Sequence, residues 1–144
     1  MDAFRQSKKF FSFVRNGKQA IKGEHRPMLV ESKAARVSSS MDFESALENI
    51  DLDCKRFDYF IESNVAANRC HALEVHAFNR SDLIEKKRGT VALLNRHCPD
   101  ATAEISSWRV LIKGSMPRAD IAARFQADTR ILLAGRTIDV NKLR

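Results

Sequence analysis

The chain has 144 residues, of which 44% are apolar and 30% are charged, and its formal net charge is +7. This length and apolar content favour one folded domain and exclude wholesale disorder, and no apolar run approaches the roughly 18 residues of a membrane span. The three cysteines are widely spaced and odd in number, which argues against a disulfide framework and favours a reducing, cytoplasmic setting.

Positive charge is concentrated at the start of the chain. Residues 1–40 hold nine Lys and Arg against three acids, whereas residues 41–144 hold sixteen against fifteen. We therefore predict a basic N-terminal segment over residues 1–35, with helix-like spacing of several apolar residues, followed by a single α/β domain over residues 36–144.

Three interpretations of the basic segment stay open. It is a helix that packs its phenylalanines on the domain, a nucleic-acid-binding arm, or a helix at an anionic membrane surface. In the second interpretation, the cations that contact phosphate are Arg5, Lys8, Lys9, Arg15, Lys18 and Lys22.

A short linker and an amphipathic helix are predicted next. Residues 34–40 are small and polar, which is typical of a linker. Phe43 and Leu47 recur at helical spacing within Met41–Asp51, which predicts a helix. The acidic residues of this helix, Glu44 among them, are expected to face solvent.

Two alternating runs, residues 57–62 and 72–77, predict an antiparallel β-hairpin. A symmetric hairpin centred on Ala66, with a connection over residues 63–69, places Asp58 directly opposite Glu74. Their Cβ atoms would then be roughly 5 Å apart. Glu74 and His76 share one strand face, with His76 diagonal to Asp58. Two carboxylates this close repel each other unless a cation or a proton lies between them.

A long helix is predicted directly after the hairpin, with Ser81 as its N-cap. The residues of its apolar face are Leu83, Ile84, Val91 and Leu94. Lys87 falls inside that face and Lys86 lies to one side of it. A lysine that faces a sheet needs an anionic partner, and the acidic face of the hairpin would supply one.

The rest of the chain predicts further α/β elements. A connection over residues 95–107 precedes a strand over residues 108–113 and a helix whose apolar stripe includes Ile121 and Phe125. Apolar runs at residues 131–134 and 137–140 complete the pattern. The expected fold is mixed α/β (α+β), a small mixed sheet with a central β-hairpin flanked by helices.

The chain resembles the PD-(D/E)xK nuclease superfamily in three features. These are an Asp on one strand, Glu-x-basic on the next strand, and a lysine-bearing helix after it. Asp58-Tyr59, Glu74-Val75-His76-Ala77, Lys86-Lys87 and Trp108 are also similar to the shared pattern of a group of uncharacterised bacterial proteins, over residues 43–140. Two positions depart from these patterns. His76 stands where the nuclease signature has Lys, and Ala77 stands where the bacterial group has Pro.

The resemblance implies a restriction-endonuclease-like fold and a metal-dependent nuclease acting on DNA or RNA. Asp58 and Glu74 would hold Mg²⁺ or Mn²⁺, and His76 and Lys87 would assist catalysis. The alternative is a catalytically inactive module on the same fold that binds nucleic acid or a protein partner, including a second copy of the chain. The histidines and cysteines match no standard zinc spacing.

Overall fold

A six-stranded mixed sheet crosses the molecule, with α-helices packed on one of its faces. The structure is a computed structural model that describes residues 1–66 and 69–143, and it confirms the mixed α/β class. In spatial order the strands are β1 (Val14–Asn16), β3 (Val37–Asp42), β4 (Tyr59–Ser63), β5 (Cys70–His76), β6 (Ile105–Ile112) and β7 (Ile131–Ala134). A separate parallel pair joins β2 (Leu29–Val30) to β8 (Ile138–Asp139).

The sheet changes from antiparallel to parallel at β5. Strands β1, β3, β4 and β5 pair antiparallel, whereas β5, β6 and β7 pair parallel. Parallel neighbours need a crossover connection, and helices supply it on both occasions. The helices in the described residues are α1 (Asp2–Gln6), α2 (Phe43–Ala46), α3 (Arg80–His97), α4 (Pro99–Glu104) and α5 (Ala119–Thr129).

The β4–β5 hairpin has the register that its symmetry predicts. Tyr59 pairs with Leu73 and Ile61 pairs with His71, so each pair is centred on position 66. The predicted connection over residues 63–69 includes residues 67 and 68, which lie outside the described part of the chain.

Alternation along the strands divides the apolar residues between two cores. On the helix side, Phe60 of β4 and Ala72 of β5 pack with Leu83 and Leu94 of α3. On the opposite face, buried residues of the central strands pack with both ends of the chain. These residues are Tyr59, Ile61, Leu73 and Val75 of the sheet, Ile21 and Leu29 of the N-terminal segment, and Ile138 and Val140 near the C-terminus.

The basic N-terminal segment packs against the rest of the chain instead of projecting from it. Phe4 and Phe10 are fully buried in the helix-side core, and Ile21 is buried in the other. Strand β1 forms one edge of the main sheet. Only residues 2–6 are α-helical in this segment. The phenylalanines therefore fix the segment to the domain through the hydrophobic effect.

The predicted linker over residues 34–40 was wrong, and the helix predicted over Met41–Asp51 is confirmed for one turn only. The serine run belongs to β3, and α2 ends after one turn at Ala46. Buried serines suit a strand here because each finds a partner. Ser39 donates to Glu62 at 2.8 Å, and the hydroxyl of Ser40 accepts from the amide of Ala20 at 3.2 Å. None of the helices in the described ranges is long and apolar enough to cross a bilayer.

Candidate functional site at Asp58, Glu74 and Lys86

Two hydrogen bonds to Glu74 and Val75 hold Asp58 beside Glu74. The β4–β5 register, continued by one residue beyond Tyr59, brings Asp58 opposite Glu74. The amide of Asp58 donates to Glu74 Oε2 at 3.1 Å, and the amide of Val75 donates to Asp58 Oδ2 at 3.0 Å. Glu74 is completely buried and Asp58 is partly exposed. The structure therefore brings together the two carboxylates that the hairpin pattern places opposite each other.

Lys86, and not Lys87, is the lysine that reaches this pair. Lys86 Nζ lies 2.5 Å from Glu74 Oε1. Lys87 Nζ instead donates to the carbonyl of Thr129 at 2.8 Å and lies 5.2 Å from the ring centroid of Trp108. The expectation that the acidic face of the hairpin would partner Lys87 was wrong.

The error comes from the orientation of α3 about its own axis. The buried residues of this helix are Leu83, Thr90, Leu93 and Leu94. Lys86 shares the row of Leu83 and Thr90, three and four residues away. Ile84 and Val91, which the apolar pattern includes in the buried face, are only partly buried. The N-cap of the helix is Asn79 and not Ser81, because Asn79 Oδ1 accepts from the amide of Asp82 at 3.1 Å.

Close backbone contact joins α3 to the loop that carries Asp58. A Cβ at Gly89 would lie 2.0 Å from the carbonyl oxygen of Lys55, so only glycine permits this approach. At the next residue, the hydroxyl of Thr90 accepts from the amide of Phe57 and donates to the carbonyl of Lys86, both at 2.8 Å. These contacts fix the position of Asp58 relative to Lys86.

Burial raises the pKa values of both carboxylates, and the charge of Asp58 adds to the rise at Glu74. Burial, and next the charge of Asp58, raises the pKa of Glu74 to about 7, against the opposing effect of Lys86. Burial also raises the pKa of Asp58, although the Val75 amide and Lys86 oppose this shift. The site therefore holds two carboxylates beside one ammonium group, an arrangement that favours binding of either a proton or a further cation.

His76 lies at the rim of the site. Its Nε2 is 3.3 Å from Asp82 Oδ2 in the first turn of α3, and its Nδ1 is 2.6 Å from the carbonyl oxygen of Ala77. Its side chain is 34% exposed, so it can contact a bound molecule. Lys55 holds the pKa of Asp82 below its usual value, and this carboxylate is therefore an anionic partner for the imidazole.

Glu44 stands beside the site on α2. The amides of Phe43 and Glu44 donate to the carbonyl of Asp58 at 2.9 and 3.3 Å. The Glu44 carboxylate is 53% exposed, as the sequence predicts, and it lies 3.1 Å from Lys22 Nζ. Its charge contributes to the raised pKa of Asp58, and Lys22 opposes that effect.

The six cations proposed to bind nucleic acid have different environments. Arg5 pairs with Asp2 and Glu62, Lys18 with Glu31, and Lys22 with Glu44. Lys9 lies 3.1 Å from His97, Arg15 donates to the carbonyl of Ser12, and Lys8 is exposed. Three of the six thus already have carboxylate partners within the chain, which weakens their attraction for phosphate.

Asp58 and Glu74 provide some, but not all, of the oxygen ligands that a hard cation requires. No group of three or more His, Cys, Asp and Glu side chains arranged for a metal ion occurs in residues 1–66 and 69–143. Asp58 and Glu74 would therefore supply two carboxylates, which is enough for Mg²⁺ when waters and substrate phosphates complete its shell.

No protein-family model, curated protein or solved structure matches this chain. The functional conclusion therefore depends on the chemistry of these residues.

Proposed function

We propose that the protein hydrolyses phosphodiester bonds of DNA or RNA with the assistance of Mg²⁺ or Mn²⁺ held by Asp58 and Glu74. The observation that carries the proposal is the pair of neighbouring carboxylates, buried Glu74 and partly exposed Asp58, with raised pKa values and Lys86 beside Glu74. A divalent cation relieves the repulsion between two such carboxylates. When bound, it would polarise the phosphodiester and lower the pKa of an attacking water.

The protein groups have distinct roles in this proposal. Asp58 is the more accessible carboxylate and would meet the ion first, whereas Glu74 lies beneath it. Lys86 shares Glu74 with the ion, and its flexible stem allows the ammonium to turn towards a scissile phosphate. His76 follows Glu74 by two residues on the same face of β5 and is 34% exposed, so it could orient a water molecule or contact phosphate.

The test is cleavage of single- and double-stranded DNA and RNA with Mg²⁺ or Mn²⁺. Wild type is compared with Asp58→Asn, Glu74→Gln, Lys86→Met and, as a matched control on the same helix, Lys87→Met. We expect cutting by wild type, losses of roughly 100-fold or more in the first three variants, and a rate near wild type for Lys87→Met.

Metal binding supplies a second readout that does not need activity. Mn²⁺ titration followed by electron paramagnetic resonance should show one ion bound to wild type and none bound to Asp58→Asn or Glu74→Gln. Absence of cutting on every substrate, or equal cutting in EDTA, would eliminate the hydrolase proposal.

A second candidate function is a catalytically inactive module that binds nucleic acid or a protein partner. One observation favours it: the Glu74 side chain is only 1% exposed and already pairs with Lys86, so the cluster can serve the fold alone. A module of this kind would shift DNA or RNA on a gel without cutting it, or would associate with a protein or with itself, and it would bind no Mn²⁺ at Asp58.

A further inference from the structure

A cavity of about 560 Å³ lies between α3, α5 and the start of β7, separate from the carboxylate pair. Ile84 and Val91 of α3 and Ile131 of β7 give it apolar walls, and Lys87 and Arg88 add positive charge. A second cavity of about 540 Å³ lies against Trp108, Leu132 and Arg130, and it shares Lys87 with the first. Each volume lies within the range of small-molecule sites, about 300–1,000 Å³.

Lys87 is a cation at the boundary of these cavities. Its described contacts are the Thr129 carbonyl and the face of the Trp108 ring. Burial, and next the charge of Arg130, lowers the pKa of Lys87. Across the described ranges, no carboxylate forms an ion pair with Lys87, Arg88 or Arg130. The acid on the wall of the first cavity, Asp128, lies 2.9 Å from Arg80 and is already neutralised.

We propose that this pair of cavities binds a small amphipathic anion, with an apolar aromatic or aliphatic body against Ile84, Val91 and Ile131 and an acidic head group on Lys87. The charge of the site selects the head group, because a partly desolvated ammonium gains most from a partner of opposite charge. The apolar walls select the body, because they gain free energy when water leaves them.

This site is independent of the proposed hydrolysis. Lys86 and Lys87 are adjacent in sequence but lie on different sides of α3, one beside Glu74 and the other beside Thr129. A change at Lys87 can therefore remove the anion site and leave the carboxylate pair intact, so each proposal can fail without the other.

Two fluorescent probes that differ by one charged group test the proposal. The probes are 1-anilinonaphthalene-8-sulfonate and N-phenyl-1-naphthylamine, which has the same rings without the sulfonate. Trp108 is the single tryptophan of the chain, so energy transfer from it shows that a probe is bound near Trp108, and the variants then place the probe in the cavities. We expect wild type to bind the sulfonate at least tenfold more tightly than the neutral probe, with strong transfer from Trp108.

Variants then separate charge from shape. Lys87→Met keeps most of the apolar stem and should weaken sulfonate binding about tenfold, while the affinity for the neutral probe changes by less than twofold. Ala92→Phe, on the wall of the first cavity, should weaken both probes by filling the space. Lys113→Met, at an exposed lysine away from the cavities, is the control and should bind as wild type.

Cooperative urea unfolding of every variant shows that the probes report a folded protein. Equal affinity of wild type for the two probes, or unchanged sulfonate binding by folded Lys87→Met, would overturn the proposal. Probe binding without energy transfer from Trp108 would place the probe elsewhere and have the same consequence.

Discussion

The ammonium nitrogen of Lys86 lies 2.5 Å from Oε1 of Glu74, a carboxylate whose side chain is only 1% exposed. Glu74 also accepts a hydrogen bond from the amide of Asp58. One lysine therefore compensates a buried carboxylate that has a second carboxylate as its neighbour. Loss of that lysine leaves an uncompensated buried charge, which is more costly than loss of an exposed ion pair.

Replacing Lys86 by methionine is expected to lower the free energy of unfolding by about 2–4 kcal/mol at pH 8, where Glu74 is ionised. At pH 5 the loss should be much smaller, because Glu74, with a pKa of about 7, is then protonated in the folded protein. Urea unfolding followed by Trp108 fluorescence measures both values, with Lys113→Met as the control. Equal losses at the two pH values would contradict the ion-pair interpretation.

Replacing Glu74 by glutamine is expected to change how stability depends on pH. The folded-state pKa of Glu74 is raised to about 7 from the ordinary 4.5, so between these values the folded protein holds a proton that the unfolded chain has lost. The contribution of Glu74 to stability therefore falls as pH rises through this window and is constant above it. The stability of Glu74→Gln should not show this decrease as pH rises.

The readout for Glu74→Gln is the difference in unfolding free energy between variant and wild type, measured from pH 4.5 to 8. It should shift in favour of the variant as pH rises to about 7 and then level off. A difference that is independent of pH would mean that Glu74 is not protonated in the folded state.

Replacing His71 by glutamine is expected to change the pH dependence of stability in the opposite direction to Glu74→Gln, over an overlapping pH range. Burial, and next the charges of Arg109 and Arg69, lowers the pKa of His71 to about 4 from the ordinary 6.5. Protonation therefore favours the unfolded chain, and wild type should lose about 3 kcal/mol of stability as pH falls from 6.5 to 4. His71 Nδ1 lies 2.8 Å from the Ser107 hydroxyl. Glutamine still offers an acceptor to this hydroxyl, and the stability of the variant should change less with pH over this range. Equal slopes in guanidinium unfolding would rule out a neutral buried His71.

Replacing Gly89 by alanine is expected to destabilise the protein, although alanine is the better helix former. The added Cβ would lie 2.0 Å from the carbonyl oxygen of Lys55 and 2.9 Å from Cys54 Sγ. The loop that carries Asp58 must then move away from α3, at a cost of about 1–3 kcal/mol.

The exposed neighbour Arg88 provides the matched control for Gly89. Arg88→Ala should change the unfolding free energy by less than about 0.5 kcal/mol. Displacement of the Asp58 loop should also weaken Mn²⁺ binding in Gly89→Ala, if the carboxylate pair binds the ion. Wild-type stability of Gly89→Ala would show that the loop is not held by close backbone contact.

The hairpin could be predicted from sequence because its two runs alternate and its register follows from symmetry. Tyr59 pairs with Leu73, as a turn centred on position 66 requires, and Asp58 meets Glu74 as a result. Both faces of these strands are covered, so a shift of one residue would exchange residues between the two cores and move Glu74 to the opposite face of the sheet. Strong alternation thus determines the geometry of the two carboxylates.

The orientation of α3 could not be predicted in the same way. Its buried row includes Lys86 and Thr90, which are polar, whereas Ile84 and Val91 line an open cavity. The apolar periodicity of α3 therefore predicts a buried face that is rotated about the helix axis, by about one residue, from the face that the structure buries. The constraints that decide the orientation are the Gly89 approach and the two hydrogen bonds of Thr90, and these depend on a loop that is distant in sequence.

Strand β3 could not be predicted from the sequence for a related reason. Serine has a weak preference for strands, and a run of serines between two apolar segments is typical of a linker. In the folded protein Ser39 is buried because Arg5 and Glu62 satisfy its hydroxyl. These partners come from other parts of the chain, so local sequence gives no sign of them.

The parallel pairing of Leu29 with Ile138 joins positions about 110 residues apart in sequence. The antiparallel strands β3 to β5 are contiguous in the chain, so their contacts close much shorter loops. Folding should therefore begin in this meander, and β2 and β8 should associate after the main transition state. Conservative substitutions at Leu29 or Ile138 should then accelerate unfolding and leave the refolding rate nearly unchanged.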